Sequence, residues 1–237
     1  RRLAGTPYRQ REMLGAVWRE SLPSKAADGE KAMLFATLMQ TDGDGQALVA
    51  EIIRRSGLST RDWLARLFDR VTLPLYHLLC RYGIGMVAHG QNLGLVLRDW
   101  QPQRVVIKDF HGDLRAAESP LPEQQGVPAD ILTGLTRLPP AHLLHDLYTG
   151  HLVTTLRFIS PLVEEQCGLT EHTFYQLLAE RMIAYQRQHP ELEESFRQFD
   201  LLRPEMERVC INRVRFRIGY ADDAQRPLPE LGQPLNN

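Results

Sequence analysis

The sequence predicts a helix-rich α+β fold, with a small antiparallel sheet in its first half and a helical second half. Apolar runs bounded by Gly and Pro recur before Phe110, whereas helical periodicity takes over beyond Pro140. The 237 residues are 43% hydrophobic and 24% charged, enough apolar material for a sizeable core. The chain is expected to divide into a sheet-forming leading segment (1–56), a helix plus hairpin (57–115), a loop (116–140) and a helical part ending in a strand (141–237).

The first strands are expected in "MLGAVWRE" (13–20) and "KAMLFATLMQ" (31–40), separated by the loop-like "SLPSKAADGE"; the second run also suits a helix. From Ser59 a helix begins. Ser59 or Thr60 caps it, Asp62 sits in the first turn, and Trp63, Leu64, Leu67, Phe68, Val71 and Leu75 recur at helical spacing. Pro74 should kink or divide this helix, and Gly83 should end it. Next, "LGLVLRDW" and "QRVVIKDF" read as two strands joined by a turn around Gln101 and Pro102. The Pro-rich "AAESPLPEQQGVP" reads as an exposed loop. Helices are then expected in "AHLLHDLYTGHLVTTLRFI", "PLVEEQCG", "TEHTFYQLLAERMIAYQRQH" and "ELEESFRQFDLL". Finally "INRVRFRIGY" alternates Arg213, Arg215 and Arg217 with Val214, Phe216 and Ile218, the period of a strand with one apolar face.

Charge excludes some partners. Lys plus Arg number 28 and Asp plus Glu 29, so no global field favours nucleic acid or an anionic membrane. Cys80, Cys167 and Cys210 are far apart and form no CxxC pair, which fits a reducing compartment and a cytoplasmic location. No apolar window is long enough for a membrane span. The start without Met and the abrupt end lead us to expect a fragment of a longer protein.

The chemistry concentrates in "GIGMVAHGQNLGLVLRDWQPQRVVIKDFHGD" (83–113), where "HGQN" and "KDFHG" interrupt apolar strands. An unpaired polar atom away from water costs roughly 1 to 3 kcal/mol, so the fold or a ligand must satisfy these groups. His89, Asn92 and Asp109 can converge from the two sides of one hairpin, because paired strands lie about 5 Å apart. Such a set suits a nucleotide with magnesium. Asn92 and Asp109 would supply hard oxygen ligands, phosphates and water the rest, while His89 would contact a phosphate or developing charge. The alternative is structural: His89 and Asn92 brace a turn while Asp109 pairs with Lys108, Arg104 or Arg115. Lys108 either reaches ATP or is a solvated neighbour of Asp109.

Protein kinases place a catalytic-loop Asn and a DFG Asp in the same order, so the nucleotide site is distantly kinase-like. The kinase base Asp has no counterpart in "HGQN". A nucleophile that is already an anion, such as a carboxylate attacking the α-phosphate of ATP, needs no such base, which favours adenylation over hydroxyl phosphorylation.

Several separated segments, "YRQREMLGAVWRE", "YGIGMVAHGQNLGLVL", "KDFHGDLR" and "LLHDLYTGHLVTTLRFISPL", occur in order, and together they resemble the C-terminal half of the NRPS-independent siderophore synthetases, the aerobactin synthetase type of enzyme. The resemblance runs from Tyr8 to Asn237. It implies the palm of a cupped-hand fold of thumb, fingers and palm, a homodimer, and ATP- and Mg²⁺-dependent adenylation of a carboxylate followed by attack of an amine or hydroxyl. The family's HxxN His and Asn fall on His89 and Asn92, its ATP and magnesium Asp on Asp109, and Gln91 lines the same pocket. Val87 stands where some relatives carry an acidic residue. The phosphate-gripping Ser, Arg and Lys of the family lie in an N-terminal region that this chain lacks, so the chain alone is expected to be inactive. The middle of the chain is close to aerobactin synthetase, which joins a citrate derivative to a hydroxylated lysine. Its end, "INRVRFRIGYADDAQRPLPELGQPLNN", looks more like the desferrioxamine, bisucaberin and alcaligin enzymes, whose N-hydroxy-N-succinyl-diamine substrate we take as the main expectation. A non-catalytic palm piece acting in assembly is the alternative from another class.

Other features weigh less. The Arg213, Arg215, Arg217 stripe suits a solvated face better than an anion site. Arg19 either points toward the cleft or pairs with an acid such as Glu20. His142, His145 and His151 lack the Cys or carboxylate partners of a metal-ligand pattern.

Overall fold

Asp99 and Trp100 both take left-handed backbone conformations, at φ 50° and 64°, and so close the central hairpin. Two consecutive residues at positive φ match the right-handed twist of the flanking strands, which the ordinary turn types do not. The computed structural model describes residues 18, 20–118, 128, 133–210, 216 and 228–237. The chain forms two units, Ala26–Arg203 and Arg1–Lys25 with Pro204–Asn237.

In the larger unit, strand β1 (Glu30–Leu34) is followed by a 3₁₀ turn, Phe35–Met39, and by helix α1 (Leu48–Ser56). Helix α2 (Thr60–Leu67) runs through a π-helical turn, Phe68–Thr72, into α3 (Leu73–Tyr82). Strands β2 (Ile84–Met86), β3 (Leu93–Arg98) and β4 (Gln101–Ile107) lead to a single helical turn, α4 (Phe110–Asp113), and strand β5 (Leu114–Ala117). After strand β6 (Thr136–Leu138), helix α5 (Pro140–Leu147), a π-helical segment Tyr148–Leu156, and helices α6 (Arg157–Cys167), α7 (Glu171–Gln188) and α8 (Glu193–Gln198) complete the unit. The smaller unit pairs β7 (Glu205–Val209) antiparallel with β8 (Leu231–Asn236).

Sheet order β1-β3-β4 is antiparallel throughout, from Glu30 opposite Arg98 to Leu93 opposite Ile107. Carboxylate Glu30 ties its edges: Arg104 on β4 reaches it at 2.5 Å and Arg98 on β3 at 3.7 Å. Leu93, Leu95 and Leu97 are fully buried, as are Trp63, Leu64, Leu67, Phe68 and Val71 on the helical side. The hairpin tip is fastened to that core. Trp63 Nε1–H donates to the Trp100 carbonyl at 2.9 Å, while Lys31 and Arg55 place cations over the Trp100 ring at 5.0 and 4.9 Å.

Several local expectations hold. Ser59 caps α2 by accepting from Asp62 N–H at 3.1 Å, and Gly83 ends α3 in the left-handed region at φ 60°. Pro74 sits in the first turn of α3, where a missing N–H costs little, directly after a π turn closed by Leu73 N–H donating to the Phe68 carbonyl.

Others need correction. The hairpin turn is Asp99–Trp100 rather than Gln101–Pro102; Pro102 pairs with Leu97 beside a register shift, a bulge being where a strand tolerates a residue without an N–H. The run 31–40 is a strand only to Leu34, since Ala36 N–H donates to the Gly90 carbonyl at 2.9 Å and pulls the chain off the sheet edge. Within 116–140, read as loop, Thr136–Leu138 forms β6, parallel to β5. The helix expected from 161 is continuous with the residues before it, with Pro161 inside α6. The strand proposed at 13–20 falls outside the described residues except Trp18 and Glu20, neither of which is in a strand, and the one at 211–220 falls outside them except Phe216.

The second sheet joins β2 antiparallel to β5 and lies close to α5. A Cβ on Gly85 of β2 would stand 2.4 Å from Leu143 Cδ1 and 2.8 Å from Asp146 Oδ2. Gly85→Ala should therefore destabilise the unit by about 1 to 3 kcal/mol, seen as a lower urea midpoint with an unchanged slope.

Candidate functional site

The segment 87–92 enters the interior between β2 and β3, and its backbone polar groups are met one by one. Val87 N–H donates to the Asp113 carbonyl at 3.0 Å and Ala88 N–H to the Asp146 carbonyl at 3.2 Å. Gly90 N–H donates to Thr155 Oγ1 at 2.9 Å, and Asn92 N–H closes a tight turn onto the His89 carbonyl at 2.9 Å. Neighbours come close on both sides: a Cβ on Gly90 would meet Ala36 Cα at 2.9 Å, and one on Gly150 would meet Ala88 N at 3.0 Å. These glycines let the 3₁₀ turn and the π segment approach the loop backbone.

Asn92 is buried, with 3% of its surface exposed. Its Nδ2 donates both protons, to the Val87 carbonyl at 2.9 Å and to Asp113 Oδ2 at 2.9 Å. Across the hairpin, Lys108 N–H donates to the Asn92 carbonyl at 3.0 Å, so the ladder continues one step past Leu93 and Ile107. Asp109 follows at once in the left-handed region, φ 63° and ψ 49°. Asp tolerates that region better than most residues, and such outliers gather at functional sites. Its Oδ2 stands 3.4 Å from Lys108 Nζ, and both side chains remain about one-third exposed.

Asn92, Lys108 and Asp109 thus share the open end of one hairpin. His89, half-buried, begins the turn that Asn92 ends, while Gln91 at its apex is exposed. The bracing role weighed for Asn92 is present, as is the Lys108 partner weighed for Asp109. The other two partners considered for Asp109 are engaged elsewhere: Arg104 with Glu30, and Arg115 with Asp146 Oδ1 at 2.5 Å. Asn92 Oδ1 and the Asp109 carboxylate are oxygen donors of the kind Mg²⁺ takes. Among the described residues no group of three His, Cys, Asp or Glu could hold a metal, so a cation here would draw most of its shell from phosphate and water. Arg19, Arg213, Arg215 and Arg217 lie outside the described residues.

Asp113, Asp146, Thr155 and Gly150 were not singled out in the sequence. Asp146 could have been, since a carboxylate between Leu143, Leu144 and Leu147 lies on the apolar face of its helix. Burial pushes its carboxyl up to about 7, against the Arg115 guanidinium that favours the charged form; Asp113 nearby adds to the rise. His151, fully buried, contacts Thr72 Oγ1 at 3.0 Å, and burial lowers its imidazole to about 4 while the Ala88 backbone opposes that shift.

Comparison with known proteins adds an independent line. Residues 61–225 match the family described as ferric iron reductase FhuF-like transporter. Aerobactin synthase of Vibrio mimicus is 47% identical over 99% of this chain and 40% of its own length. Aerobactin synthetase IucC of a hypervirulent Klebsiella pneumoniae pathotype superposes with a TM-score of 0.80 at 45% identity, over 86% of this chain and 37% of that one. The ATP-bound aerobactin synthetase IucA of the same pathotype matches over 66% of this chain and 29% of that one, with a TM-score of 0.58 at 17% identity, a likeness of fold alone. The chain spans about two-fifths of the length of the curated relative it matches. No helix among the described residues is long and apolar enough to cross a membrane.

The two buried titratable groups act on stability with opposite sign. A raised Asp146 binds a proton in the folded state that the unfolded chain has lost, so its contribution falls as pH rises from about 4 to about 7. A lowered His151 does the reverse, its contribution being lost as pH falls from about 6.5 to about 4. Together they nearly cancel over the shared window. Asp146→Asn should unmask the histidine, and unfolding free energy should then rise with pH between about 4 and 6.5 by up to about 1.4 kcal/mol per unit, measured by urea titration at stepped pH.

Proposed function

Because the chain belongs to the FhuF-like family and forms the C-terminal region of NRPS-independent siderophore synthetases, we propose that it supplies one wall of an ATP-dependent ligase site. The observation that carries this is the open end of the β3–β4 hairpin, where Asn92 and Asp109, just beyond the ends of the two adjacent strands, offer oxygen donors. Asp109 and Asn92 would hold Mg²⁺ with ATP, His89 would contact a phosphate, and Lys108 and Gln91 would border the same nucleotide. A bound Mg²⁺ would neutralise charge on the phosphates.

The reaction follows from what the loop lacks. With no carboxylate in "HGQN" to take a hydroxyl proton, the first nucleophile is an anionic carboxylate. Its oxygen bonds to the α-phosphorus of ATP, and the bond to the bridging oxygen breaks to release pyrophosphate. An amine or hydroxyl then attacks the acyl carbon, loses its proton, and expels AMP. The N-terminal part of the enzyme completes the site, and this chain alone releases no AMP.

For the substrate, the relatives favour the aerobactin type, a citrate derivative joined to a hydroxylated lysine. The N-hydroxy-N-succinyl-diamine reading drew on 211–237, most of which lies outside the described residues. An AMP-release assay offering both pairs to the full-length enzyme separates them. Turnover confined to the diamine would overturn the aerobactin-type assignment.

In that enzyme Asp109→Asn, which keeps a residue tolerant of the left-handed backbone, should lower AMP release on the order of 100-fold with little change in unfolding midpoint. Wild-type turnover by this variant would sink the nucleotide-site reading.

A further inference from the structure

Asp113 lies in the segment "KDFHGDLR" but has none of the roles that the resemblance assigns to His89, Asn92 and Asp109, yet it touches the 87–92 loop twice. Its backbone carbonyl accepts from Val87 N–H at 3.0 Å, and its Oδ2 accepts from Asn92 Nδ2 at 2.9 Å. A second acceptor, the Val87 carbonyl, takes the other amide proton at 2.9 Å. A primary amide has two donor protons and one acceptor oxygen. With both protons committed, Asn92 can stand in only one of its two flip states, and Oδ1 is its one side-chain atom left to accept.

We propose that Asp113 is a positioning residue for the cation of this site: it holds the Asn92 amide so that oxygen, and not nitrogen, is presented to Mg²⁺. The inference rests on the reading of Asn92 as a metal ligand. A flipped amide would offer two N–H donors to a cation, which repels them. Val87 O opposes the flip as well, and without Asp113 it would be the one acceptor holding the amide, with the second proton uncommitted. The carboxylate is suited to the task, since it accepts without being able to donate and so cannot stabilise the reversed amide. Short helix α4 places it, by setting Asp109 at one end of the turn and Asp113 at the other.

The test uses full-length enzyme and the free Mg²⁺ giving half-maximal AMP release at saturating ATP. Asp113→Ala should require at least tenfold more Mg²⁺, while Asp113→Asn, whose amide can accept from Asn92 but can also donate to its reversed form, should require more than wild type and less than Asp113→Ala. A merely structural Asp113 would lower the unfolding midpoint and turnover without moving the Mg²⁺ requirement, and that result overturns the proposal. Asn92→Ala separates the two readings: if it too leaves the Mg²⁺ requirement unchanged, Asn92 is no ligand and the underlying assignment fails; if it raises the requirement while Asp113→Ala does not, only the positioning role fails. Should Asp113→Ala not fold, the exchanged pair Asn92→Asp with Asp113→Asn decides. Recovery of Mg²⁺ use relative to Asn92→Asp alone supports the role, and absence of recovery overturns it.

Discussion

Every feature of the site depends on one constraint: a polar loop cannot enter a protein interior unless its backbone donors and acceptors find partners there. The segment 87–92 meets that demand by drawing on four separate parts of the chain. Asp113 serves Val87, Asp146 serves Ala88, Thr155 serves the Gly90 N–H, and Ala36 takes up the Gly90 carbonyl. Each partner is a single hydrogen bond of modest net worth, but losing one leaves a buried group stranded at roughly 1 to 3 kcal/mol. Sheet, helix and loop are thereby held in mutual register, and the hairpin end carrying Asn92 and Asp109 inherits that rigidity.

Local signals survived the passage from sequence to structure, and non-local ones did not. Ser59, Gly83 and the spacing of Trp63, Leu64 and Leu67 concern neighbours within one or two turns, and they are where expected. The hairpin joining "HGQN" to "KDF" is also local, so its functional ends were legible. Its turn was misplaced because Gln-Pro is a common turn signal, whereas the turn is made by Asp99 and Trp100 at positive φ, with Trp100 in contact with Trp63, Lys31 and Arg55. Strand β6 needs β5 for a partner, and the bond between Asn92 and Asp113 joins residues 21 positions apart in the chain. No periodicity announces either.

The helical half shows a second kind of illegibility. A π segment and an α-helix differ by less than one residue per turn, so nine residues are too few for the apolar pattern to tell them apart. Yet Tyr148–Leu156 sets Gly150 against Ala88, Thr155 against Gly90 and His151 against Thr72. The helix that looked like ordinary scaffold in the sequence is what the loop leans on. Asp146, one turn earlier, adds a carboxyl raised by burial and the Arg115 pair that restrains it.

That π segment makes chain length, and not only residue identity, a conserved quantity in the physical sense. In an α-helix each residue advances the azimuth by about 100°. Gly150 and Thr155 are five residues apart, and five α-helical residues would turn one about 140° out of line with the other. A π-helical turn takes up about that many residues in a single turn, which keeps both on the side of the loop. Forcing this segment into regular α geometry at its present length would swing Thr155 away from Gly90, so the number of residues between them is as much a part of the site as their identity.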